Sequence, residues 1–303
     1  MTRFDDLAYL EPLADGIWLA NSPTKGRFPH CHGFLLVGDR SVLVDAGIGA
    51  QRIREIDQRR RIDVLIISHS HPDHMLAWHV LSDRQLYLPV QTPESVGDLR
   101  LLGRRFVADR QGADYWTWVA KRRLGIHPLR QPDYRFGDGF IMQIGSMQLK
   151  AIHAPGHLDD HYCFLETTSG TLLSTDIDFT GFGPWYGNPE GDIARFRESV
   201  AALRRLPFNR ICSSHKQPIA RADAHQAFDR YLDAFDRQRD LVFNLCKPSA
   251  DMESMVRRSP FYRNRMPDGT LQRIFETQMI RKNLDRLAQE NRIINENGRY
   301  RPV

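Results

Sequence analysis

Between Ser68 and His79, the stretch "SHSHPDHMLAWH" packs four histidines and an aspartate into twelve residues, directly after the apolar run "VLIIS". A solvated loop has no need of so many imidazoles, and a packed core could not easily satisfy them. His69, His71, Asp73 and His74 form the pattern HxHxDH in the turn where a buried strand would end. Such a turn can aim alternate side chains into a common space above a sheet. Imidazole suits Zn²⁺ and Fe²⁺, and a carboxylate adds a harder oxygen ligand. Metal binding is the chemistry this pattern favours, although taken alone it also fits a structural site or an accident of the surface.

Partners for the cluster follow, each at the end of a β-rich run. "IHAPGH" supplies His157, "LLSTD" supplies Asp176 and "ICSSH" supplies His215. A lone histidine at any of these places is more often a satisfied core residue. Three residues of matching chemistry downstream of HxHxDH make a shared metal site the expectation. Asp45, which ends the apolar run in "LVDAG", reads either as a residue that holds a ligand or loop in place or as a turn aspartate.

The elements that must position these residues alternate along the first 220 positions. "GIWLANS", "HGFLLVGDRSVLVDAG", "VLIISHS", "QLYLPV", "MQLKAIHAPGH", "YCFLETTSGTLLSTD" and "RICSSHK" read as strands. Several are apolar on both faces, as in sheets covered by helices, and the second contains a hairpin around Gly38-Asp39. "HMLAWHVLSD", "PESVGDLRLLGRRFVADRQGADYWTWVAKRRLG" and "DIARFRESVAALRRL" read as helices, the last with Asp192 at its N-cap. From Arg221 onward the chain turns helical and ends in a short hairpin, "RIINENGRYRP", so that residues 221–303 resemble a small winged-helix-like appendage to a domain spanning 1–220.

Composition sets further bounds. The chain has 303 residues, 41% hydrophobic and 26% charged, as in an ordinary globular protein. No apolar run approaches the roughly 20 residues needed to span a bilayer. Charges begin at Arg3 and no continuous apolar stretch follows, so no signal peptide is read and a cytoplasmic location is expected, without membrane attachment. Cys31, Cys163, Cys212 and Cys246 lie far apart with no CxxC pair, and read as buried or incidental thiols. The net charge of +5 is concentrated at the C-terminus, where residues 221–303 hold 16 Lys and Arg against 12 Asp and Glu. A solvated helical surface is the simpler reading of that imbalance, and an acidic partner such as RNA the other.

HxHxDH, followed by a His, an Asp and a His at strand ends and preceded by "LVDAG", resembles the metallo-β-lactamase-fold superfamily of hydrolases over about residues 15–220. The ungapped HxHxDH and the later Asp176 look most like its glyoxalase II (hydroxyacylglutathione hydrolase) branch. The resemblance implies an αββα sandwich with metals at one edge of the sheets. It implies two divalent ions, zinc with iron or manganese as alternatives. His69, His71 and His157 would hold one, Asp73, His74 and His215 the other, with Asp176 bridging. Two such ions share a water and lower its pKa from 15.7 towards roughly 7, giving a hydroxide at neutral pH that Asp73 can orient. The expected reaction is hydrolysis of a small-molecule thioester, ester or lactone.

Departures from the family pattern leave the substrate open. The last ligand sits in "SSHKQ", and "PGHLDDH" places Asp159, Asp160 and His161 where many relatives have small residues. His161 reads as a pocket residue that donates a proton or as the cap of a turn. The glycine-rich "DFTGFGPWYGN" sets Phe179, Phe182, Trp185 and Tyr186 just after Asp176, and "DYWTWVAKRR" sets Tyr115, Trp116 and Trp118 on a helix. Each group reads as substrate wall or as core or homodimer packing. Competing functions are RNA phosphodiester hydrolysis, a mononuclear iron sulfur dioxygenase, and a ligand-sensing regulator with a vestigial site.

Overall fold

The computed structural model describes residue 4 and residues 6–303. Two sheets stack face to face. The first contains β1 (Leu10–Ala14), β2 (Ile17–Ala20), β3 (Gly33–Val37), β4 (Ser41–Val44), β5 (Val64–Ile66), β6 (Gln85–Pro89) and β7 (Tyr134–Phe136), hydrogen-bonded in that order. The second contains β8 (Ile141–Ile144), β9 (Met147–His153), β10 (Tyr162–Glu166), β11 (Thr171–Thr175), β12 (Arg210–Ser213) and β13 (Ile219–Ala220), in the reverse order across the sheet. The hairpin at Gly38-Asp39 joins β3 to β4, whereas β4, β5, β6 and β7 run parallel.

Strand periodicity sorts the apolar residues between layers. Val42, Val44, Val64 and Ile66 point between the sheets, against Tyr162, Phe164 and Leu173 of the second. Leu43 and Leu65, one step out of phase, face outward beneath α1 (Ala50–Arg59), α2 (Leu99–Phe106) and α3 (Arg110–Arg122). The second sheet is covered by α4 (Ile193–Arg204) and α5 (Arg221–Leu245), giving helix, sheet, sheet, helix.

The long segment from Pro93 to Gly125 is not one helix. It is a 3₁₀ turn at Glu94–Gly97, then α2 and α3, because Asp98 and Asp109 each turn a carboxylate onto the following backbone N–H groups and start a new helix. "HMLAWHVLSD" is likewise a turn and a short 3₁₀ helix at Trp78–Leu81. Asp192 caps α4 by accepting from Arg195 N–H.

The C-terminal segment runs α5, β14 (Ala250–Asp251), α6 (Met252–Arg258), α7 (Gly269–Gln289), β15 (Ile293–Glu296) and β16 (Arg299–Pro302), with strand order β14-β16-β15. That is the element order of a winged helix. Its third helix, α7, is packed onto the rest of the chain. Leu271 and Phe275 enter the core over the first sheet, while Met279, Ile280, Leu284 and Leu287 enter the core over the second. Helix α7 thus crosses one edge of the sandwich. Among the described residues no helix is long and apolar enough to cross a membrane.

Candidate metal centre

The strand ends at that edge carry the chemistry. After β5 the chain leaves the sheet through Ser68, His69, Ser70 and His71, all buried. His157 follows β9, Asp176 follows β11 and His215 follows β12. The seven expected ligands converge as two groups, His69, His71, His157 and Asp176 in one, and Asp73, His74 and His215 in the other.

In the first group His71 Nδ1 lies 3.0 Å from His69 Nε2 and 2.9 Å from His157 Nε2. Asp176 Oδ2 lies 3.5 Å from His69 Nε2 and 3.2 Å from His157 Nε2. In the second group the other carboxylate oxygen, Oδ1, lies 2.9 Å from His74 Nε2 and 3.2 Å from His215 Nε2, and Asp73 Oδ2 is 3.4 Å from His215 Nε2. One aspartate therefore turns one oxygen to each cluster.

These distances fit metal ions. Four ligands at tetrahedral zinc distances of ~2.0–2.1 Å stand ~3.3 Å from one another. His74 Nε2 and Asp176 Oδ1 are buried and form no hydrogen bond of acceptable geometry, as donor atoms awaiting a cation do. The far nitrogens are held. His157 Nδ1 is 2.7 Å from the Trp185 carbonyl, His215 Nδ1 is 2.6 Å from the Gly26 carbonyl, His69 Nδ1 is 3.0 Å from Ser68 Oγ, and His74 Nδ1 is 2.7 Å from Asp45 Oδ2. Partners of this kind select the tautomer that leaves the inward nitrogen free.

Asp45 is fully buried and also accepts from Ser68 N–H and Ser68 Oγ, both at 2.8 Å. Its φ of 65° turns the strand end so that its carboxylate points under the histidine loop, a conformation aspartate tolerates.

Charge separates the two groups. Burial, followed by the neighbouring imidazoles, pushes the basicity of His69 and His71 well below the histidine range. Burial also opposes charge on His74 and His215. At His74 the attraction of Asp176 and other anionic neighbours overcomes it, holding the imidazole well above that range, and at His215 Asp176 and Asp73 raise it to about 10. Burial opposes ionisation of Asp176, yet His74, His215 and His69 hold its carboxyl well below the usual range.

Residues 28–215 match the family described as the metallo-beta-lactamase superfamily. The chain belongs to this superfamily. Curated relatives include an uncharacterized protein of Aquifex aeolicus (strain VF5), 24% identical over 55% of this chain and 74% of its own. A hydroxyacylglutathione hydrolase of Xylella fastidiosa (strain 9a5c) is 25% identical over 75% of this chain and 77% of its own. A metallo-beta-lactamase family protein from Thermus thermophilus superposes with a TM-score of 0.74 at 18% identity, covering 96% of this chain and 100% of its own. TTHA1623, solved in a di-iron-bound form, superposes with a TM-score of 0.52 at 22% identity, over 64% of this chain and 92% of its own. The site of this superfamily member is a His/Asp arrangement suited to metal, and its curated relatives include hydroxyacylglutathione hydrolases.

Two residues expected on the pocket wall, His161 and Tyr186, are fully buried. His161 Nδ1 lies 2.8 Å from the Ala154 carbonyl, and its Nε2 lies 2.8 Å from Thr175 Oγ1 and accepts from Asp176 N–H at 3.2 Å. It braces Thr175, whose φ of 45° is a strained value for a β-branched residue, and thereby aims Asp176. Burial depresses its imidazole to about 3. Tyr186 is also fully buried, its hydroxyl 2.9 Å from Asn283 Nδ2 and its ring stacked on Phe235, so it is core. Phe182 is half-buried against Tyr262. Trp185 does reach the centre, its ring centroid 5.2 Å from that of His71 and 5.7 Å from that of His157. Trp116 packs behind Phe106, whose ring touches His71, and Trp118 is exposed beside Arg123.

The sequence left two contacts unread. Asn188, the last residue of "DFTGFGPWYGN", sets its amide 2.7 Å from His71 Nε2. Arg105 on α2 is buried, donates to Ser70 and Asp159, and reaches Glu190 at 2.6 Å, tying the histidine loop to the loop beyond Asp176. An asparagine closing a glycine-rich loop was a faint signal for the first. Nothing local marked the second.

Proposed function

We propose that the protein is a dinuclear metal-dependent hydrolase that cleaves an acyl bond, preferentially a thioester. The observation that carries the reading is the two-sided contact of Asp176, one carboxylate oxygen facing each histidine group. His69, His71 and His157 would hold one ion and Asp73, His74 and His215 the other, with a carboxylate oxygen of Asp176 available to each. When bound, such ions polarise the scissile carbonyl and bring the pKa of water close to neutrality.

The chain supplies the rest. Asp73 accepts a hydrogen bond from the attacking water and orients it. Asp45 keeps the His74 proton on Nδ1, and the Trp185 and Gly26 carbonyls do the same for His157 and His215. The Trp185 ring beside His71 and His157 forms an apolar wall that holds the acyl portion and excludes water from one side of the reacting carbon. An acyl substrate is also what the relatives named hydroxyacylglutathione hydrolase favour.

The test is metal analysis together with a panel of thioesters, a lactone and a phosphodiester. Wild-type protein should carry two ions per chain and turn over the thioesters, and Asp176→Ala should lose both ions. Two ions retained in that variant would refute the dinuclear assignment. Phosphodiester turnover without acyl turnover would refute the substrate class.

A further inference from the structure

Beside the metal centre, a groove of about 620 Å³ opens between the loop that follows Asp176 and the outer side of α5. Four cations line it, Lys216, Arg230, Arg237 and Arg263. Several arginines elsewhere in the C-terminal segment, Arg239, Arg286, Arg292, Arg299 and Arg301, are paired with carboxylates. The four groove cations share one concave surface, and among the described residues no carboxylate lies within 4.0 Å of any of them. The acidic lining residue, Asp240, is already engaged by Arg239 at 2.9 Å and Arg292 at 3.3 Å. Like charges gathered in a concave surface without counter-charge raise the local concentration of anions.

The groove adjoins residues that border the site. Lys216 adjoins His215 in the chain, and its Nζ donates to the Phe179 carbonyl at 3.0 Å. Tyr231, on the α5 wall, donates its hydroxyl to the Asp176 carbonyl at 3.4 Å. This inner end is beside the group formed by Asp73, His74 and His215, while Trp185 stands over the other group. Arg230 and Arg237 are two turns apart on α5, about 10 Å along its axis, and the half-buried Phe182 also lines the groove.

We propose that this groove binds the phosphate groups of the leaving thiol, so that the substrate is an acyl thioester of a phosphorylated, nucleotide-bearing thiol. This rests on the acyl-hydrolase reading above. The charge balance favours phosphate. A phosphate monoester carries roughly −1.5 to −2 at neutral pH, so a thiol bearing one monoester and a diphosphate matches four cations, whereas a peptide thiol with two carboxylates and an ammonium does not. The volume also falls within the ~300–1,000 Å³ of small-molecule sites. In the reaction, water oxygen bonds to the acyl carbon and the C–S bond breaks. Sulfur leaves with the electron pair and takes one water proton, and the new carboxylic acid releases the other to solvent.

The experiment compares one acyl group on coenzyme A, on pantetheine and on glutathione, with wild type and the triple variant Arg230→Ala, Arg237→Ala, Arg263→Ala. Wild type should prefer the coenzyme A thioester to the pantetheine thioester by about 10-fold in kcat/KM, the sum of several modest ion pairs. The triple variant should lose most of that ratio through KM, and 0.5 M salt should do the same to wild type. Adenosine 3′,5′-bisphosphate binding by calorimetry, weakened in the variant, gives a readout independent of turnover. Equal rates on all three thioesters, or a preference for glutathione, with no bisphosphate binding, would overturn the groove assignment and leave the hydrolase reading standing. Bisphosphate binding without turnover of any thioester would overturn the hydrolase reading and the leaving-thiol assignment with it. Single-stranded RNA bound more tightly than the bisphosphate would overturn the small-molecule assignment.

Discussion

Replacing Asp45 with asparagine separates a carboxylate that sets a tautomer from one that merely fills a turn. The side chains match in size, and asparagine tolerates the φ of 65° at this position, so the backbone need not move. The asparagine oxygen can still accept from Ser68 N–H, as Asp45 Oδ1 does at 2.8 Å. Its amide nitrogen then faces the atoms Oδ2 now contacts, Ser68 Oγ at 2.8 Å and His74 Nδ1 at 2.7 Å. Two buried hydrogen bonds to a charged acceptor are lost, at about 1.5–3 kcal/mol each. Facing an NH₂ donor, His74 is driven to carry its proton on Nε2, the nitrogen that points at Asp176. A protonated nitrogen cannot ligate. One ion should bind about 10–100-fold more weakly, or about 1.4–2.7 kcal/mol, and the remainder should appear as lost stability of the metal-free protein. The other ion should change less, because His69 reaches Asp45 only through Ser68 Oγ. Chelator-competition titration of both ions, with urea unfolding of the apo form, reads the two portions. Two ions bound in Asp45→Asn with wild-type affinities would refute the reasoning.

Other consequences follow from the same contacts. Trp185→Ala should keep both ions and raise KM for an apolar acyl substrate severalfold with little change in kcat, and unchanged kinetics would remove Trp185 from the substrate wall. Tyr186→Phe, which loses only the contact with Asn283, should leave kinetics alone and lower stability by about 1 kcal/mol in urea unfolding. Burial, aided by the His215 and Arg52 charges, depresses the His32 imidazole to about 4, so its stability contribution is complete above pH ~6.5 and is lost as pH falls towards 4, because the unfolded chain takes up a proton that the folded chain refuses. Over that range the metal-free wild type should lose up to ~3 kcal/mol more than His32→Asn, which keeps an acceptor for Ser22 N–H, and parallel pH–stability curves would contradict this. A chain ending at Ala220 should be insoluble or partly unfolded by light scattering and circular dichroism, since Phe196, Val200, Phe208 and Ile211 share one core with Phe228, Phe235 and Met279, and a soluble, fully active truncation would show that core to be dispensable.

That HxHxDH, His157, Asp176 and His215 come together was legible in the sequence, because a metal site would demand such atoms at strand ends and few alternatives explain the pattern. The strands were legible where apolar residues ran unbroken, as in "VLIIS", because both faces of each sheet are covered. Helix breaks at Asp98 and Asp109 were harder to see, since a capping carboxylate inside an amphipathic run looks like one more polar position until the backbone turns around it. Tertiary structure alone decided which side chains from distant parts of the chain pack around the His/Asp cluster. His161, four residues past a ligand, was turned inward to hold Thr175 and Asp176. Tyr186 and Trp185 are adjacent in one loop, yet the first is core and the second meets His71, because the loop is pinned by α7 through Gln278, Lys282 and Asn283. Arg230, Arg237 and Arg263 share a groove with Lys216 only because α5 lies along the loop after Asp176. Spacing along the chain specifies contacts within an element and at the ends of neighbouring strands, and contacts between layers exist only once the layers have packed.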